Sequence, residues 1–406
     1  MFFKSHFPHH IRKNYNYDFW AGILFGIYAG LILPFIFLVA RRLGASPFQL
    51  ALIASAPFYG NLISFYWAHK AQSGSKKSFV VCGSIISRSL LLFTLLINAP
   101  FPFSLVVFFS QFLSPMIDPA YVGVMSEVYP DSYRGKAMGY VRIGASLAII
   151  ASCFFGGKFL DLFGHRLIFP LGAMFGILSS LVFAGMDVSE KEPISVSKFE
   201  AKEILRIMRK DSDFSTFEIF YFIFGFGNLL FVPVFPIFLV DTLGISNFDA
   251  GKLSVVASIF GLIAVYFWGH IIDKKGARFS IPFAVAGLGF VPFLYFFAKD
   301  MHLLYAASII SGICFAGLDL LILNSMIEFS NKTLAPKYHA IHTTFMGIRG
   351  VVAPFLGIRL MHILGARMVF MLSFLSIIVS SILLIGFNIK NVNKIKMINQ
   401  RVSDVA

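Results

Sequence analysis

The chain repeats itself at an offset of about 200 residues, and the repeat carries charges inside apolar stretches. Leu43-Gly44-Ala45-Ser46 returns as Leu243-Gly244-Ile245-Ser246, and Trp67 returns as Trp268. Asp118 returns as Asp319, Glu127 as Glu328, and Gly164 with Arg166 as Gly365 with Arg367. Two like halves rich in long apolar runs are the pattern of a duplicated membrane bundle whose working site lies where the halves meet. A carboxylate kept at one depth in both halves marks the level of that site.

Composition agrees. The chain is 57% hydrophobic and 13% charged, with a mean hydropathy of +0.79, whereas soluble domains carry roughly 25% charged residues. A spanning helix needs roughly 20 mostly apolar residues. Twelve runs qualify: 19–40, 48–68, 79–99, 103–127, 137–157, 167–187, 216–240, 250–270, 279–298, 302–328, 339–360 and 367–388. The first follows a basic tail without a small-residue cleavage site, so it reads as a retained helix. The expected organisation is an all-α membrane protein with a six-helix bundle over 1–187, a linker over 188–213 and a second six-helix bundle over 214–406. In the linker, Ala201, Ile204, Leu205 and Met208 form one apolar face beside Lys202, Arg206, Arg209 and Lys210. That pattern fits an amphipathic helix on a membrane surface, with a solvated linker as the alternative.

A net charge of +14 raises the question of nucleic acid. The distribution answers it. Of the 34 lysines and arginines, 23 fall on the side that carries both termini and eight on the other, while Arg88, Arg142 and Arg349 lie inside runs. Such asymmetry is an orientation signal facing anionic lipid, placing the termini in the cytoplasm and the chain in the inner (plasma) membrane. No nucleic-acid partner is expected. Cys82, Cys153 and Cys314 all sit in apolar runs without a CxxC pair and read as packing residues.

One short loop resembles a family signature. Gly269-His270-Ile271-Ile272-Asp273-Lys274-Lys275-Gly276-Ala277-Arg278, between the eighth and ninth runs, is similar to the Gly-x-x-x-Asp-Arg/Lys-x-Gly-x-Arg/Lys loop of the major facilitator superfamily. In that pattern the first Gly allows helices to approach, the Asp meets a helix start and neighbouring cations, and the second Gly turns tightly. The first-half counterpart, Trp67 to Lys77, keeps Gly74 and the lysines but lacks the leading Gly and the Asp. Tyr129-Pro130-Asp131-Ser132-Tyr133-Arg134-Gly135-Lys136-Ala137-Met138-Gly139 resembles the family's Pro…Arg-Gly-x-x-x-Gly segment. The Gly-Pro-x-x-Gly-Gly element of many antiporters is absent, since Gly156-Gly157 follow Ser152-Cys153. The resemblance implies two pseudo-symmetric six-helix bundles, with spans one, four, seven and ten lining a central cavity.

Charges inside spans cost about 2.5–3.5 kcal/mol on insertion scales and usually face a cavity or a partner. Asp118 lies about ten residues, or roughly 15 Å, from the end of its run, which is mid-membrane. Asp319 sits at the same depth. With the resemblance, the two aspartates are expected to face each other as proton or cation-coupling groups, or to form fixed ion pairs. Arg349 and Arg142 are candidates to hold an anionic group bidentately or to neutralise these aspartates. Arg88 reads as a structural partner. Tyr28, Asn61, Asn228 and Asn324, with Gln111, His342 and Thr343, are polar groups able to orient a solute. Glu127 and Glu328, with Arg134, Gly269, Asp273, Lys274, Gly276 and Arg278, are expected to form a cytoplasmic gate that breaks as the halves rock.

The tail and eleventh-run histidines, including His339 and His342, lack partners at metal-ligand spacing. There is no phosphate-cradling Gly-Lys loop and no GxSxG element. No cofactor, metal or enzyme activity is expected. The reading is a monomeric secondary transporter of a small solute, a proton-coupled symporter by expectation. Its alternatives are a non-transporting membrane sensor or assembly factor, and a multidrug/proton antiporter.

Overall fold

The computed structural model describes residues 7–63, 67, 74–188, 201–330 and 334–403, and among them every regular element is a helix. The first half contains α1 (His9–Ile32), α2 (Ile36–Arg42), α3 (Pro47–Leu62), α4 (Lys76–Leu90), α5 (Pro100–Leu113), α6 (Ile117–Val128), α7 (Asp131–Phe163) and α8 (His165–Ala184). A short helix, α9 (Ala201–Lys210), precedes the second half. There follow α10 (Ser212–Phe231), α11 (Val234–Ile237), α12 (Asn247–Lys275), α13 (Ala277–Phe297), α14 (Met301–Phe329), α15 (Ala335–Leu364) and α16 (Ala366–Ser403).

Ten helices are long and apolar enough to cross a membrane, and an eleventh span forms if the pair Pro100–Met116 and Ala120–Val128, bent by 42°, is one crossing. Proline is the physical cause of breaks of this kind, because it lacks the N–H that continues the ladder. Pro115 sits at that bend, Pro34 separates α1 from α2, and Pro233 separates α10 from α11. The remaining expected crossing, 48–68, begins as α3 and runs into residues outside those described. The same holds for most of the first-half loop from Trp67 to Lys77 and for 189–200 of the linker.

Sequence repeats become structural repeats. Ser46 caps α3 and Ser246 caps α12, each in a reciprocal capping box, with Gln49 and Asp249 respectively. Gly164 and Gly365 end α7 and α15 with φ of +74° and +84°, a region glycine enters without steric penalty. Because α7 and α15 are unbroken back from these glycines, Arg142 and Thr343 occupy equivalent positions, each 22 residues before its glycine.

Within the first half, α1 packs against α7 and α8, α3 against α5, and α4 against α6 and α8. Within the second, α14 packs against α12 and α13, while α16 packs against α10 and α13. Two seams join the halves, α7 with α12 and α3 with α15. Both need missing side chains. A Cβ on Gly157 would lie 2.5 Å from the Asn247 carbonyl oxygen, and one on Gly350 would lie 1.9 Å from the Phe58 ring. Helices approach this closely in membranes where small residues let backbones meet.

The packed face of α9 departs from the expected one at Leu205 and Ile207. Ile204, Ile207 and Met208 pack on the core, and Leu205 is exposed beside Arg206, Arg209 and Lys210. Its end is fixed to the second half, since Asp211 caps α10 at Phe214 and accepts a 2.8 Å hydrogen bond from the Tyr338 hydroxyl.

Gly157→Val is expected to force the α7–α12 seam apart at a cost of about 1–3 kcal/mol, the usual range for overpacking. The check is the melting temperature of the detergent-purified protein, which should fall. The same change at Gly139, where no atom lies within 4 Å of an added Cβ, should have far less effect.

Candidate functional site

The cross-half polar contacts between described residues gather at the face opposite the termini, the distal face. Arg41 Nε donates to both carboxylate oxygens of Asp241 at 3.0 Å, and its terminal nitrogen also bonds that carboxylate. Arg42 bonds the Ile245 carbonyl and lies 3.7 Å from Asp161. Asp161 accepts from the Asn247 backbone N–H at 3.1 Å, from the Asn247 side chain at 2.8 Å and from the Phe248 N–H at 2.8 Å. A carboxylate of one half thus caps the N-terminus of α12 in the other, where free N–H groups and the helix dipole favour negative charge.

Halfway along the bundle the halves meet differently. Asp319 on α14 lies 3.5 Å from Arg142 on α7, and both side chains are largely exposed, at 67% and 63%. The exposed positions on α14 run Phe315, Asp319, Leu323, Ile327, four residues apart and therefore on one helical face. Asp319 meets an arginine of the other half, so this face looks into the space between the halves. The repeat-related stripe in the first half is Ser114, Asp118, Val122, Ser126, also exposed. Asp118 has no hydrogen-bond or ion-pair partner among the described residues. Of the mid-span charges expected in the site, the structure therefore joins Arg142 to Asp319 and leaves Asp118 open.

Arg349 is placed elsewhere. It is buried on α15, donates to the Tyr221 carbonyl at 2.7 Å and lies 5.0 Å over the Tyr221 ring, in space left by Gly225. It bridges α15 to α10 rather than facing the exposed stripes. Tyr28 is buried within the first half, with its ring 5.2 Å from the Arg88 guanidinium. Arg88 in turn bonds the Gly176 carbonyl and the Ser180 hydroxyl, as a structural partner does. Asn324 donates to Leu320 of its own helix at 2.8 Å. Asn61 and Asn228 are half-buried on α3 and α10.

The expected gate has a different wiring. Glu127 pairs with Lys76 of its own half. Arg134 donates to the carbonyls of Ser126 and Tyr129, both at 3.0 Å. Glu328 accepts from the backbone N–H groups of Ala277 and Arg278 at 2.6 and 3.0 Å, so it caps α13. The carboxylate at a helix start is thus Glu328, not Asp273, which is exposed along with Lys274. Gly276 makes the turn with φ of +81°, and a Cβ there would lie 3.3 Å from Glu328. No described atom lies within 4 Å of a Cβ placed on Gly269, so the close helix approach expected there is not made. The Arg278 guanidinium lies 3.8 Å over the Phe329 ring, not across the halves. This wiring has one cause: both glutamates end a helix beside the start of a neighbour in the same half, where Glu127 meets the Lys76 ammonium and Glu328 meets free backbone N–H groups.

Two buried acids escaped sequence reasoning. Asp18 on α1 accepts from the Tyr129 hydroxyl at 2.9 Å, and Glu218 on α10 meets His342 Nδ1 at 2.9 Å with both side chains nearly inaccessible. They are 200 residues apart, the offset that relates Leu43 to Leu243. The repeat was the signal; Asp18 falls one residue outside the run 19–40, while Glu218 lies inside the run 216–240.

A sequence model of the Major Facilitator Superfamily matches residues 19–301 and 217–396. The chain belongs to the major facilitator superfamily. It is 22% identical to quinolone resistance protein NorA of Staphylococcus aureus over 299 residues, which are 72% of this chain and 75% of the relative. It is 32% identical to raffinose permease of Escherichia coli over 111 residues, spanning about a quarter of each (27% and 26%). Multidrug resistance protein 2 of Bacillus subtilis is 25% identical over 57% of each chain. The fold is similar to that of the nucleoside transporter NupG, with a TM-score of 0.72 at 12% identity over 92% of this chain and 99% of that one. It is also similar to a bacterial homologue of the lysosomal transporter Spinster, with a TM-score of 0.62 at 15% identity over 94% and 96%. The candidate site within this fold is the space between the halves, where Asp319 of one half meets Arg142 of the other.

Glu328→Ala is expected to lower stability by about 1 kcal/mol, the usual cost of a lost helix cap. Glu328→Gln should fall between, because it keeps one acceptor oxygen. Melting temperatures of the three purified proteins check this; a gate salt bridge rather than a cap would show no graded loss.

Proposed function

We propose that the chain is a secondary active transporter that moves a small solute across the inner membrane by alternating access, with proton coupling. One observation carries the reading. The distal face is closed by cross-half bonds, while the mid-span charges Asp118, Asp319 and Arg142 remain exposed. A bundle sealed at one end and accessible at its middle is one half of an alternating-access cycle, and the two seams are the surfaces on which the halves rock.

The excess of lysine and arginine on the terminus side supports a cytoplasmic location for both termini, so this state opens inward. Residues 1–187 and 214–406 then act as the two rocking bodies and 188–213 as their tether, in a chain that works as a monomer. Asp319 is the coupling group in this reading. Taking up a proton removes its charge and releases Arg142 of the other half, and losing it restores the bridge. A proton thereby changes the bond between the halves at the level of the solute.

The names of NorA and multidrug resistance protein 2 favour drug efflux as a second reading. The missing Gly-Pro before Gly156 stands against it.

The test uses proteoliposomes containing the purified chain and a pH-sensitive dye in the lumen, screened with pooled metabolites and drugs for solute counterflow and proton movement. The wild type should show both. Asp319→Asn should keep counterflow and lose proton movement by tenfold or more, which corresponds to about 1.4 kcal/mol of coupling. Proton movement unchanged in Asp319→Asn removes Asp319 as the coupling group. Well-folded protein without counterflow for any pool shifts the reading to a sensor or assembly factor.

A further inference from the structure

The halves share the mid-span aspartates, Asp118 and Asp319, but not the residue that pairs with them. The operation that carries Asp319 onto Asp118 carries Arg142 onto Thr343, because α7 and α15 run unbroken to the matching glycines Gly164 and Gly365. On one side of the space between the halves, carboxylate and guanidinium lie 3.5 Å apart. On the other, the same 201-residue offset, applied to both members, pairs the position of Asp118 with that of Thr343. The Thr343 hydroxyl bonds the His339 carbonyl of its own helix at 2.9 Å and brings no charge.

The other cations near this level are engaged. Arg142 is with Asp319, Arg349 is buried on the Tyr221 carbonyl, and Lys76 is with Glu127. The exposed stripe around Asp118 otherwise offers Ser114, Val122 and Ser126. An exposed mid-span carboxylate with only neutral neighbours on its stripe and no partner among the described residues is an anionic site awaiting a counter-ion, since charge at this depth is costly until paired.

Resting on the transport reading above, we propose that the solute carries a positively charged amine, amidine or quaternary ammonium group that takes the place of the missing guanidinium, seated between Asp118 and Thr343. The solute's cation completes the second of two repeat-related ion pairs. Bound solute thereby makes the middle of the bundle electrically symmetric, with one fixed pair and one exchangeable pair. A purely anionic solute finds no free cation here, and a neutral one leaves Asp118 unpaired.

The site is testable without knowing the solute. Cys82, Cys153 and Cys314 are replaced by serine or alanine, and Thr343→Cys supplies one thiol. Its rates of modification by a trimethylammonium-ethyl and by a sulfonato-ethyl methanethiosulfonate are compared with those of a free thiol in solution. Each reagent forms a mixed disulfide and releases methanesulfinate, so only reagent charge differs. The runs are made at one fixed pH, so that both reagents meet the same fraction of thiolate.

A carboxylate a few ångströms from the thiol favours the cationic reagent by roughly tenfold or more over the solution ratio, the equivalent of about 1.4 kcal/mol. Asp118→Asn should bring the ratio close to the solution value, and Asp118→Glu should retain most of it. A ratio that ignores Asp118→Asn, a faster anionic reagent, or a thiol that neither reagent reaches overturns the proposal. The labelling reads charge and access rather than turnover. Failure here with flux intact sinks the cationic solute, and failure of flux with this labelling intact sinks the transport reading.

Discussion

The N-terminus of α12 is held by a carboxylate that belongs to the other half of the molecule. Asp161 accepts both leading N–H groups of that helix, Arg42 stands beside it, and Gly157 below it has no side chain to hold the helices apart. Close contact and charge complementarity therefore coincide at one end of the bundle. The halves are pinned at this end by several bonds, whereas at the level of Asp319 they meet through the exposed ion pair with Arg142. Releasing this end requires new partners for two backbone N–H groups and a carboxylate together. That makes the distal contact a two-state element rather than a soft hinge.

Its repeat-related counterpart shows how much of the contact is geometry and how much is chemistry. Phe154 lies 5.4 Å from Phe248 across one seam, and Phe355 lies 5.4 Å from Phe48 across the other. The aromatic clamp is thus present twice. The polar latch is not. Where α12 begins with Asn247, α3 begins with Pro47, which has no N–H to offer, and the position equivalent to Asp161 is His362. One seam is latched by hydrogen bonds, and at the matching end of the other Phe48 meets Phe355. The same economy appears at the opposite face. A glutamate ends α6 and α14, and each reaches the start of the helix 51 residues earlier, through the Lys76 ammonium in one half and through bare N–H groups in the other. Duplication preserved the positions, and the two copies then solved each contact with different donors.

Much of this was legible in the sequence because it depends on period and offset. Apolar runs gave the helices, and paired motifs gave the two bundles and the equivalence of Asp118 with Asp319. Partnership was less legible. Glu127 and Glu328 carry the residue type of a gate, but their bonds are decided by which helix start lies beside them, and that is a tertiary fact. Arg349 and Arg142 look alike as mid-span arginines. One is buried because Gly225 leaves a hole for it, while the other is exposed opposite an acid of the other half. A missing side chain on a different helix leaves no mark near the arginine in the sequence. Asp18 and Glu218 were within reach of the repeat; Asp18 fell just outside its run, where edges are least certain, and without Asp18 in view the equivalence that singles out Glu218 was not drawn.

The distribution of buried charge separates the halves in a further respect. In the second, Glu218, His342, Arg349 and Tyr221 form one inaccessible cluster between α10 and α15. In the first, Asp18 is held by the Tyr129 hydroxyl alone. Removing one member of a buried ion pair leaves an uncompensated charge and costs about 3–5 kcal/mol, so the cluster ties α15 firmly to its own half. α15 is also the helix that carries Thr343 and forms the packed seam with α3. A helix anchored in this way moves with its bundle as a rigid body. In the proposed cycle, Asp118 on one body and Thr343 on the other would separate or approach as the halves rock. A solute seated between them would feel the motion directly, while the Arg142–Asp319 pair registers it on the opposite side of the same space.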